Sequence, residues 1–117
     1  MKSRALLNQT RGRVIAGEVR LCRSFGSRLK GLIGTADLAD DAAYWLDPCN
    51  AVHTLAMRYP IDVYFLDRHD RIVFILQNLG PNRFSPLIWK ARSVIELKSG
   101  IAREAHVGDQ LKWESAS

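Results

Sequence analysis

The stretch from Tyr59 to Leu76 limits the possible folds more than any other part of the sequence. Tyr59-Pro60-Ile61-Asp62-Val63-Tyr64-Phe65-Leu66 and Arg71-Ile72-Val73-Phe74-Ile75-Leu76 are rich in β-branched and aromatic residues. Such side chains fit a pleated, packed surface. The polar Asp67-Arg68-His69-Asp70 between them reads as a tight loop, and Asp70 can take positive φ at modest cost. The pattern is that of a β-hairpin. Both strands are apolar on both faces, which places the hairpin inside a sheet rather than at its edge. Pro60 fits only the start of its strand, because it has no N–H for the ladder.

The remaining signals also have a period of two. In Ile15-Ala16-Gly17-Glu18-Val19-Arg20-Leu21, residues 15, 19 and 21 share an apolar face and Glu18 and Arg20 the other, as in a strand. Ala42-Ala43-Tyr44-Trp45-Leu46 is a short buried run closed by the turn-initiating Asp47-Pro48. Ser93 to Leu97 reads as a strand ended by Ser99-Gly100, and Val107-Gly108-Asp109 as a turn before a last strand with Leu111 and Trp113. Ser24 or Ser27 is placed to cap a short helix through Ile33, with Gly34 at its stop. Gly80 to Arg92 forms a thirteen-residue irregular loop, a length often tied to function.

With 117 residues and no repeat or linker, the chain has room for one domain. The expected fold is mainly β, α+β at the margin. It is a small barrel-like or rolled antiparallel sheet of about six or more short strands with one or two short helices, since closure removes exposed edges. Residues 1–13 read as a basic amino-terminal arm and 14–117 as a single globular β-rich domain.

Composition narrows the function classes. A hydrophobic content of 47% with 25% charged residues is too apolar for a disordered chain. The longest apolar runs, Ala42–Leu46 and Ile72–Leu76, have five residues, far below the roughly 18 of a membrane span. After Lys2 and Arg4 only Ala5-Leu6-Leu7 follows, too short for a secretory core, so no leader is expected. Two cysteines make no disulfide scaffold and suit a reducing compartment, which points to the cytoplasm. Residues 1–30 carry eight Lys or Arg against Glu18 alone, while the rest of the chain is slightly acidic. A basic arm can engage nucleic acid or an anionic surface, or simply keep a small protein soluble. No aromatic residue precedes Phe25, so the arm has no stacking platform for single strands.

Several stretches occur in an order that resembles the bacterial and archaeal domain-of-unknown-function 192 family. They are Arg28, Gly31-Leu32-Ile33-Gly34, Cys49-Asn50-Ala51-Val52-His53-Thr54, and Met57 through Asp67. Farther on come Val94-Ile95-Glu96-Leu97 with Gly100, and Gly108-Asp109. Coverage runs from about residue 14 to 113. Many relatives carry a secretory leader, and many have an aromatic-Met-Lys-Asn segment where this chain reads Val52-His53-Thr54-Leu55-Ala56. The resemblance implies a compact β-rich domain and brings no established activity.

Cys49, His53 and Met57 recur every four residues. Thiolate, imidazole and thioether suit a soft metal such as copper. A helix would separate neighbours by about 6 Å and the outer pair by about 12 Å, so only a folded loop would let all three bind one ion. Alternatively, Cys49 is a nucleophile activated by His53 and oriented by Asp62, as in a hydrolase or transferase. In the third reading Cys49 and Met57 simply pack, and His53 ties down a loop.

Asp62 and Glu96 each sit between apolar neighbours in a strand, where a carboxylate needs a partner. Arg28, Arg58 and Arg83 are the candidates for Asp62. If Arg28, His53, Asp62 and Glu96 converge, they form a polar ligand pocket. Phe84, Leu87, Ile88 and Trp89 in the long loop offer a surface for a partner. Phosphate-loop, dinucleotide, zinc-protease and Cys-x-x-Cys signatures are absent, and no cofactor is expected. The leading expectation is a non-enzymatic module that binds a small ligand or a protein, with Trp89 among its contact residues.

Overall fold

The computed structural model describes residues 3–23, 38–54 and 57–116. They contain eight strands: β1 (Ser3–Asn8), β2 (Arg13–Ala16), β3 (Glu18–Cys22), β4 (Ala42–Leu46), β5 (Ile61–Leu66), β6 (Ile72–Leu79), β7 (Ser93–Lys98) and β8 (Leu111–Ala116). These form a small sheet, β2-β1-β8, and a large sheet, β3-β4-β7-β5-β6. The molecule is mainly β, but the described strands do not close into a barrel. Nor is the large sheet wholly antiparallel, because β3 and β4 run parallel and parallel neighbours need a crossover rather than a hairpin. The helix expected from Ser24 or Ser27 to Ile33 lies outside the described residues, and no helix occurs among those described.

Three local departures have physical causes. The alternation over Ile15–Leu21 predicts one strand, yet the chain breaks at Gly17, sending β2 and β3 into different sheets. Gly17 donates its N–H to Asp41 Oδ1 at 2.7 Å. The Asp41 carboxylate occupies the space a Cβ would need, so a larger residue at this corner displaces that side chain and its hydrogen bond to the Gly17 N–H. The second departure is in the stretch read as an arm. It supplies β1, which lies between β2 and β8, with Leu6 fully buried. The third concerns the hairpin. Its turn forms as expected, Asp67 Oδ1 accepting the N–H groups of His69 and Arg71 at 2.8 and 3.0 Å and Asp70 taking φ 63°. Only β5 is central, however, while β6 is an edge strand.

Two cores lie on opposite faces of the large sheet. One contains Ala43, Trp45, Tyr64, Leu66, Ile95 and Leu97 together with Leu6, Ile15 and Leu111 of the small sheet. The other contains Ile61, Val63, Phe65 and Val94 with Val52 and Met57, and Cys49, Ile88 and Ala91 pack against it. Among the described residues, one face is thus covered by a sheet and the other by loops. All six residues of β5 are buried, which is why its sequence is apolar throughout. At β6, Val73 to Leu76 are only partly buried. They cover core from an edge, so double-sided apolarity there does not mark a central position.

Candidate functional site

Register decides where the two strand carboxyls go. Asp62 pairs with Leu97 across β5 and β7, whereas Glu96 pairs with Val63 on β5 and Tyr44 on β4. Cross-strand partners share a face. Asp62 therefore lies with Leu97 on the sheet-covered face, and Glu96 with Val63 and Tyr44 on the loop-covered face. The common recess for Asp62 and Glu96 does not form.

Asp62 is 7% exposed. Its Oδ1 accepts the Asn78 N–H at 2.9 Å, and its Oδ2 lies 3.7 Å from Arg103 Nη1. Asn78 has φ 57°, and the β5–β6 register shifts between Ile61 and Val63, so a bulge aims this N–H at the carboxylate. Arg103 donates from Nη1 to the Lys98 carbonyl at 2.9 Å and from Nη2 to the Asp40 carbonyl at 3.3 Å. The ion pair thus ties the segment after β7 to β5. The sequence nominates Arg28, Arg58 or Arg83 for this role; the partner is Arg103. Arg58 and Arg83 are exposed, and Arg28 lies outside the described residues. No local pattern marks Arg103, because the pairing depends on the turn after Lys98.

Glu96 is 4% exposed, and among the described residues none donates a hydrogen bond to its carboxyl. Burial alone pushes its pKa up to about 7, because a low-dielectric surrounding penalises the charged form. Nearby Cys22 is also held above its ordinary value, chiefly by burial and with a contribution from Glu96, despite the opposing charge of Arg20. That thiol is not activated.

The Cys49–His53–Met57 series forms a loop over the same face. The Cys49 thiol donates to the Ala51 carbonyl at 3.1 Å. Met57 is buried in the second core. His53 forms a bridge with Phe84, the two rings 6.2 Å apart. Asp62, on the other face and held by Arg103 and Asn78, is not brought to His53. Among the described residues no group of three or more His, Cys, Asp or Glu could hold a metal ion.

The strongest construction on this side is the loop Gly80–Arg92. The Asn82, Ser85 and Ile88 N–H groups donate to the carbonyls of Thr54, Val52 and Asn50 at 2.9, 2.8 and 2.9 Å. In return Cys49 and Thr54 donate to the Arg92 and Arg83 carbonyls, both at 2.8 Å. Thr54 is fully buried; its hydroxyl donates to the Gly80 carbonyl and accepts the Arg83 N–H, at 2.5 and 2.9 Å. Ser85 Oγ accepts the Val52 N–H at 2.8 Å. Ile88 and Ala91 turn inward to the core. Phe84, Leu87 and Trp89 stay 70%, 50% and 87% exposed. The irregular loop expected from the sequence is present, with Trp89 exposed on it. Sequence reading misses Thr54 as the clasp, since a lone buried threonine carries no pattern.

A family model, DUF192, described as "Uncharacterized ACR", matches residues 6–113. A UPF0127 protein of Thermococcus sibiricus is 32% identical over 93% of this chain and 74% of its own length. Another from Pyrococcus furiosus is 34% identical over 92% and 97%. Two crystal structures share the fold. A protein of unknown function from Novosphingobium aromaticivorans has TM-score 0.77 and 21% identity, covering 95% of this chain and 84% of that one. A Sinorhizobium meliloti protein described as a candidate transcription regulator also has TM-score 0.77, with 23% identity over 97% and 94%. The chain belongs to the DUF192 family.

Proposed function

We propose that this DUF192 chain is a non-enzymatic binding module that docks on an anionic surface through the loop Gly80–Arg92. The observation that carries the reading is the exposure of Phe84, Leu87 and Trp89 on a loop clamped to residues 49–54 by main-chain hydrogen bonds. Fixing a contact loop beforehand lowers the ordering cost of association. Aromatic residues at such positions are favoured anchors. The charge sign comes from the sequence: from Arg71 to Ile95 there is no Asp or Glu, and within the loop Arg83 and Lys90 stand beside Phe84 and Trp89. Against an enzyme, the candidate nucleophile Cys49 spends its S–H on a backbone carbonyl, and Asp62 serves a buried ion pair on the opposite face.

A photo-crosslinking residue in place of Trp89, in living cells expressing the full chain, tests this reading. Val107, 62% exposed, is the control position. A discrete adduct at position 89, absent at 107 and diminished by Arg83→Glu with Lys90→Glu, is expected. No adduct at 89, equal adducts at both positions, or indifference to charge reversal would contradict the proposal.

A further inference from the structure

We infer that the surface met by this loop is a phospholipid interface carrying anionic headgroups, an inference that rests on the docking reading above. The first argument concerns the backbone. A loop lowered into an interface must not carry unsatisfied N–H groups into an apolar medium. Here the N–H groups of Asn82, Arg83, Ser85, Ile88, Ala91 and Arg92 already donate within the protein, whereas those of Phe84, Leu87, Trp89 and Lys90 donate to no acceptor among the described residues. Pro81 and Pro86 have none to satisfy. The base of the loop is thus satisfied by the protein, while the N–H groups at its tip need water or headgroup oxygens, which holds the tip backbone at headgroup level and lets only side chains reach inward.

The second argument is the chemistry of the outward side chains. Trp89 and Phe84 bring large apolar bodies, and Leu87 adds an aliphatic one. Trp is favoured at headgroup level, where its ring is amphipathic. Leu87 has no π face with which to stack on a base, so the set fits acyl chains better than a single strand of nucleic acid. The third argument is the flanking charge. Arg83 and Lys90 adjoin the two exposed rings, and both are exposed. Among the described residues neither forms a salt bridge, whereas Arg92 lies 3.3 Å from Asp47. Two available cations beside apolar anchors match the two-part attraction of peripheral proteins to anionic leaflets.

The chain contains its own reporter. Trp45 is buried, Trp113 is half-buried beneath Arg4, and Trp89 is 87% exposed. The test mixes the full chain with vesicles of phosphatidylcholine, with and without phosphatidylglycerol, and follows co-sedimentation and tryptophan emission. Binding that requires phosphatidylglycerol, weakens with salt and shifts the emission to the blue is expected. Trp89→Ala should abolish the shift, Leu87→Ala should weaken binding, and Arg83→Ala and Lys90→Ala should each weaken it about fivefold at low salt. Val107→Ala should change nothing. Absence of vesicle binding, or binding indifferent to Trp89 and Leu87, would overturn the inference. So would a preference for a single-stranded oligonucleotide that quenches Trp89. A protein adduct at position 89 with silent vesicles defeats the lipid assignment and leaves the docking reading standing; no adduct at position 89 defeats that reading itself.

Discussion

Asp62 and Glu96 are both buried carboxyls on adjacent strands of one sheet, and their surroundings differ completely. Asp62 faces the small sheet, where Arg103 and the Asn78 N–H meet it. Glu96 faces the loops, where its carboxyl has no hydrogen-bond donor among the described residues and burial lifts its pKa to about 7. The first arrangement builds structure from its charge; the second holds a buried carboxyl to which no described residue donates a hydrogen bond. The large sheet thus has one face whose carboxyl is ion-paired and one whose carboxyl receives no hydrogen bond among the described residues, and the exposed apolar loop lies over the latter.

The sharpest way to break this contrast is Asp62→Ala, which leaves Arg103 buried with no counter-charge. Urea denaturation should register a loss of about 3–5 kcal/mol. Combining Asp62→Leu with Arg103→Met should recover most of it, since removing both charges also removes the desolvation cost.

Asp109 is a second lock on the structural side. Its Oδ2 accepts from Asn8 Nδ2, Arg11 Nε and the His106 N–H at 2.8, 2.7 and 2.9 Å. Burial works to raise its pKa, but these three hydrogen bonds and the Arg11 charge outweigh it and hold the carboxyl below 3.8. Its contribution is complete above the ordinary carboxylate range and is lost as pH falls through the lowered value. Asp109→Asn should cost about 2 kcal/mol at pH 7 and flatten the acid limb of the stability curve.

The smallest expected effect is on the loop-covered side. Trp89→Ala should change stability by less than about 0.5 kcal/mol, as for an exposed residue outside the core. A loss as large as that of Asp109→Asn would make Trp89 a structural residue and erase the distinction between the faces.

The hairpin, its Asp70 turn, β7 and the long loop were legible because each is specified locally, by alternation bounded by turn residues. The break at Gly17 was not, because it depends on Asp41 arriving from a distant part of the chain. The edge position of β6 was hidden since loop cover and sheet cover leave the same apolar imprint on a strand. That Asp62 and Glu96 were buried could be read directly from their neighbours. Their separation could not, because one residue of register exchanges the faces, and register is set by pairings across the whole sheet. Arg103 was invisible for the same reason: its partner is fixed by topology rather than spacing.

The division of the sheet is tested most directly by measuring unfolding free energy against pH for the parent chain and Glu96→Gln. A folded-state pKa near 7, above the unfolded value of 4.5, means that the folded chain holds this proton more tightly. Its effect on stability is therefore most favourable below pH 4.5, is eroded as pH rises, and levels off above 7. The erosion should total about 3 kcal/mol and vanish in Glu96→Gln, which should be the more stable chain at pH 8. An unchanged slope in the variant, or a loss at pH 8 comparable to that of Asp62→Ala, would show that Glu96 is as structural as its counterpart on the other face.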